Sequence, residues 1–170
     1  MYIRGLTDVP DVDTRNRAVA SDLPALQPMT AAPKHRFADA IGRRAGADAG
    51  GGAVADAALE MWRGVADALT PVVGGRGVMA LLHRSVFVAG REYPYLTQTL
   101  EPGSRDVNVD GLRLALEAQA TAEAINGSAA LFAAFDALVA SMIGLALTER
   151  LLAPVWDLPS SGEAAQDVRT

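Results

Sequence analysis

From residue 53 to residue 73, apolar side chains return at steps of three and four: Val54, Ala58, Met61, Val65, Leu69 and Val72. Asp56, Glu60, Arg63 and Asp67 fall on the opposite side. A period near 3.6 belongs to a helix with one buried and one solvated face, whereas a half-buried strand requires strict alternation. Arg63 is spaced to pair with Glu60 and Asp67 along the wet face. Gly74-Gly75 ends the pattern, because glycine weakens a helix interior and turns the backbone freely. Pro71 removes one backbone donor just before that break. A chain built around this segment must solve its packing problem with helices.

The remaining punctuation agrees. Phe37 and Ile41, four apart, predict a short helix over residues 36–47 that stops at Gly50-Gly51-Gly52. A second long helix is expected over 76–93, with Val78, Leu81, Leu82, Ser85, Val86 and Ala89 on one side and Pro94 at its end. Residues 94–110 read as a connection, with Glu101-Pro102-Gly103-Ser104 as its turn. Asp110 can cap a third helix to about residue 125, carrying Arg113 and Glu117 four apart and closed by Asn126-Gly127. Ser128 then caps an apolar helix over 129–152, ahead of Pro154. Along it, Ala133, Ala137, Ala140 and Gly144 would let neighbouring backbones approach. No valine- or isoleucine-rich alternating run occurs.

These segments predict an all-α fold, a four- to five-helix bundle over residues 35–156 with the 129–152 helix at its centre. Residues 1–34 contain Pro10, Pro24, Pro28 and Pro33 and no sustained period, so they read as a flexible N-terminal arm. Residues 157–170 read as a disordered C-terminal tail. The apolar stretch 129–147 just reaches the length of a bilayer span, but it is rich in alanine and carries Asp136. It reads as a core helix, with Arg113 or Arg150 as the expected partner of that carboxylate.

Composition narrows the chemistry. The chain has no cysteine, which removes disulfides, thiol catalysis and cysteine-ligated zinc. Its net charge is −5, so no chain-wide attraction to nucleic acid or anionic lipid is expected. Lys34 is its single lysine among many arginines, and with abundant alanine and glycine this bias is that of a GC-rich bacterial genome. The first ten residues lack a basic start followed by an apolar run, so the expected location is the cytoplasm.

Motifs that carry chemistry are scarce. Asp11-Val12-Asp13-Thr14 has the spacing of the nucleophile motif in haloacid-dehalogenase-type phosphatases, but that chemistry needs a buried strand and a further lysine that this chain does not supply. The segment reads as solvated acid. His35 and His83 have no second histidine or carboxylate at helical metal-site spacing, so neither a metal nor a cofactor is expected. His83 on a helical bundle resembles, in architecture, a histidine phosphotransfer domain. Such domains usually place lysine and glycine three and four residues later, where Val86 and Phe87 stand here. A third possibility is a sensor holding an apolar ligand between its helices.

The helical wheel of the second long helix is the most informative feature. With Val78, Leu82, Ser85 and Ala89 on the apolar side, Phe87 projects oppositely among His83, Arg84 and Arg91. Such an aromatic is either covered by the N-terminal arm or a neighbouring helix, or it anchors an interface, where aromatic and arginine side chains concentrate binding energy. Tyr95 could extend the same surface, while Tyr93 should plug the bundle end. The expected function is a non-enzymatic interaction or regulatory protein that binds a protein partner or a second copy of itself through Phe87, Arg84, Arg91, His83 and Tyr95.

Overall fold

A computed structural model describes residues 31–104 and 106–157; the arm before residue 31 and the tail after residue 157 lie outside the described residues. The fold is all-α. Its helices are α1 (Ala31–Ala45), α2 (Gly51–Ala89), α3 (Val109–Glu117), α4 (Thr121–Ile143) and α5 (Leu145–Asp157), with a short 3-10 helix at Pro94–Thr99. Among the described residues the one β feature is an isolated antiparallel bridge between Leu100 and Val107. The Glu101–Ser104 turn inside it is closed by the Ser104 amide donating to the Glu101 carbonyl at 3.1 Å.

The two long amphipathic segments form one continuous element broken at Gly74, which has φ 75° and ψ 155°. Only glycine adopts that backbone region without strain, so the expected break falls where the sequence puts it. Gly144 repeats the device at φ 87° and ψ 151°, and here the expectation of one helix over 129–152 is corrected: α4 ends and α5 folds back. The return is visible in the Phe132 and Trp156 rings, 5.8 Å apart. α5 also runs through Pro154 instead of stopping before it. Arg44 supports that last turn, donating to the carbonyls of Val155 and Trp156.

Three other boundaries differ from expectation. α1 begins before residue 35, because Pro33 sits in its first turn, where a missing donor costs nothing. α3 is capped by Asn108, whose side-chain oxygen accepts from the Gly111 amide at 2.7 Å, and it ends at Glu117. Asn126-Gly127 therefore closes nothing. Both lie within α4, and Ser128, expected as a cap, is a buried helical residue whose hydroxyl has no hydrogen-bond partner among the described residues.

α4 is the central element. It packs on α1, α2, α3 and α5, and Ala124, Gly127, Ala129, Ala130, Leu131, Phe132, Phe135 and Val139 are buried. Close approach comes at Gly127, against Tyr95 and Tyr93; of the four expected small residues, Ala133 and Ala140 are half-buried and Ala137 and Gly144 are exposed. Trp62 meets Phe135 edge-on at 5.5 Å, which fixes the first half of α2 against α4. Phe37 joins α1 to Phe132 and Trp156, with ring centroids 6.2 and 4.8 Å away. By length and composition both α2 and α4 are long and apolar enough to cross a membrane. In this fold each contributes its apolar face to one shared core.

Asp136 pairs with neither expected arginine. Its partner is Arg36 on α1, Nη2 to Oδ2 at 2.9 Å. Burial pushes the Asp136 carboxyl above its ordinary value, Arg36 pulls it down, and Glu149 adds to the rise. A carboxyl that binds its proton more tightly when folded contributes most stability below the ordinary carboxyl range and loses it as pH rises through that range. Asp136→Asn removes this dependence. In melts of both proteins from pH 3 to pH 7, wild type should lose ground relative to the variant as pH rises. A difference moving the other way would mean that the Arg36 pair outweighs the burial.

Candidate interaction surface

The outward side of the second half of α2 carries Arg84, Phe87, Val88 and Arg91 at spacings of three, one and three. At 100° per residue these fall within one narrow stripe, while Val78, Leu82, Ser85, Val86 and Ala89 turn into the core. Phe87 is 54% exposed and Val88 43%, in a fold that buries most of its large apolar side chains. The Arg91 guanidinium lies 5.7 Å from the Phe87 ring centroid, within cation–π range. Arg84 is exposed, and neither it nor Arg91 is in an ion pair among the described residues. His83 is half-buried at the edge of the stripe.

No helix among the described residues covers Phe87. Val88 escaped the sequence reading because valine is unremarkable in a helix that is apolar nearly all round. Its exposure depends on where the neighbouring helices end.

The structure separates Tyr95 from this group. Its hydroxyl donates to the Glu123 carbonyl at 3.0 Å, and its ring stands edge-on to Tyr93, centroids 6.2 Å apart. Tyr93 is buried, as expected of a plug. Burial, helped by Glu123 and Tyr93, pushes the Tyr95 hydroxyl far above the usual tyrosine range, so it remains a neutral donor to α4. Both tyrosines close the bundle end.

Three further surfaces stand apart from the stripe. The Gly74 and Gly144 elbows lie at the same end of the bundle, because the first half of α2 runs parallel to α4. Around them Val72, Met142, Leu145 and Leu147 are exposed, Val72 contrary to its expected inner position. Leu114 stands exposed on α3. An open polar groove of about 420 Å³ is lined by Arg44, Asp56, Glu60, Arg63 and Arg113. Two of its charges are joined in an ion pair: Arg113 binds Asp56 at 2.9 Å, and also Glu117 at 3.0 Å, the latter being the expected four-residue pair.

Inside the bundle, the space between Trp62, Leu82, Leu116, Phe132 and Phe135 is about 10 Å³. That is about the minimum for one water, and ligand pockets run to hundreds of Å³. It gives the apolar-ligand reading no support. Among the described residues no three histidine or carboxylate side chains converge as a metal site would require. No protein family, curated protein or solved structure matches the chain.

Proposed function

We propose that this chain is a non-enzymatic, cytoplasmic helical interaction protein of regulatory type, which binds a protein partner or a second copy of itself through the Arg84–Phe87–Val88–Arg91 stripe. The observation that carries the reading is Phe87, more than half exposed beside an arginine and uncovered by any described element. With more than half of its surface left in water by the described elements, the ring is only partly accounted for by packing within the fold. Flanked by arginines, it has the composition of an interface anchor. The phosphotransfer alternative rests on His83 alone, and no contact of that residue favours it.

Phe87→Glu tests the reading. The side chain lies outside the core, so the melting temperature should stay within a few degrees of wild type. Self-association measured by sedimentation, or capture of a partner from the native host, should weaken at least tenfold, as expected for loss of an anchor worth more than about 1.4 kcal/mol. A folded Phe87→Glu protein with unchanged self-association and unchanged capture would refute the proposal.

A further inference from the structure

The stripe lies beside the point where the chain enters the fold. α1 starts at Ala31, and within its first turn Lys34 Nζ is 2.8 and 2.7 Å from the two Glu92 carboxylate oxygens. The same ammonium sits 5.3 Å from the centroid of the Tyr93 ring. Glu92 directly follows Arg91. The thirty residues that precede α1 are therefore tethered at the end of α2 that carries the stripe.

Within those thirty residues, 7–14 read Thr7-Asp8-Val9-Pro10-Asp11-Val12-Asp13-Thr14, with three carboxylates and no cation between Arg4 and Arg15. Pro10 biases Val9 towards an extended backbone. In extended chain Asp8 and Asp11 are about 10 Å apart. Along the helix Arg84 and Arg91 are also separated by about 10.5 Å. Val9-Pro10 between the two acids would then lie over Phe87 and Val88 between the two arginines. Opposite charge, matching spacing and an apolar centre coincide.

We propose that residues 8–11 of the arm dock in cis on the Arg84–Phe87–Val88–Arg91 stripe and compete with whatever binds it. The twenty residues from Asp11 to Ala31 have a root-mean-square reach of about 25 Å if freely jointed, ample for a site about a helical turn or two from the anchor. A tether of that length holds the segment at a local concentration on the order of millimolar. Two exposed ion pairs and one small apolar contact are individually weak. Docking therefore needs the tether, responds to salt, and yields to a stronger ligand. The competition rests on the stripe being a partner surface; the docking itself does not.

The absence of cysteine makes a clean test possible in the full chain. Val9→Cys combined with Val88→Cys should form an intramolecular disulfide in glutathione buffer with an effective concentration at least tenfold above that of Val9→Cys with Leu114→Cys. Proximity to the tether alone would leave that preference intact when charge is removed. Docking predicts that Asp8→Asn with Asp11→Asn, or 0.5 M salt, brings the two pairs within twofold. A preference unchanged by both treatments, or absent from the start, overturns the proposal, and neither result bears on the Phe87→Glu test when the exchange is run dilute enough for the protein to be monomeric. If docking holds, the full-length Asp8→Asn/Asp11→Asn protein without added cysteines should self-associate or capture partner at least threefold more tightly. Unchanged binding there would overturn the competition.

Discussion

Replacing Phe37 with alanine should cost about 3–5 kcal/mol, the usual range for truncating a buried aromatic. Phe37 is fully buried, and its ring links α1 to α4 through Phe132 and to α5 through Trp156. The Trp156 contact is edge-on, at an interplanar angle of 81°, a geometry in which aromatic pairs gain beyond area alone. Truncation would leave a void on three sides, and none of the three helices can close it without moving away from the other two. Domains of this size are stable by about 5–15 kcal/mol, so the loss is a large fraction of the total. Urea unfolding followed by tryptophan fluorescence should show a lower midpoint with an unchanged slope, and the melting temperature should fall by about 10–20 °C. A loss below about 1 kcal/mol would mean that α1 is not an integral part of the bundle.

The second large effect turns on the sign of a glycine substitution. Glycine inside a helix is normally a liability, and Gly→Ala there gains about 1 kcal/mol. At Gly127 the reverse should hold. A Cβ on this residue would lie 1.8 Å from the Tyr95 hydroxyl oxygen and 2.9 Å from the carbon that bears it. The ring cannot swing away freely, since its hydroxyl donates to Glu123 and its edge rests on Tyr93. Gly127→Ala should therefore destabilise by about 1–3 kcal/mol through overpacking. Tyr95→Phe alone should cost about 0.5–1.5 kcal/mol for the lost hydrogen bond. Together the two should cost less than their sum by at least about 0.5 kcal/mol, because removing the oxygen clears the worst contact. Additive costs would show that the clash is relieved elsewhere.

Gly127 also shows why part of the fold was illegible. In the chain, Asn126-Gly127 looks like a helix terminator, because local rules weigh glycine by its backbone freedom. The structure uses its lack of a side chain instead, to admit a tyrosine that arrives from more than thirty residues earlier in sequence. The same limit applied to Asp136. Arg113 and Arg150 were nearer in sequence, but pairing is decided by which helix crosses which, and α1 delivers Arg36. Ser128 looks like a cap from its neighbours in sequence, but α4 starts two turns earlier and places it inside the helix, against the core.

The Phe87 surface was legible for the opposite reason. A helical wheel needs only the angle between residues, and once the core side of α2 was drawn through Val78, Leu82, Ser85 and Ala89, Phe87 had to point away from it. Tyr95 could not be placed by that means, because it follows the end of the helix, where the angular relation no longer holds.

The sequence by itself determined that this chain forms helices, where the Gly74 elbow falls, most of the core face of α2, and that the first part of the 129–152 stretch belongs at the centre. Each follows from local backbone preference or from a period written along one segment. Only the tertiary structure decided that the central helix turns back at Gly144, that Tyr95 serves α4 and not the arginine stripe, and that no described helix covers Phe87 and Val88. Those outcomes depend on contacts between residues far apart in the chain, and no single segment carries the information that sets them.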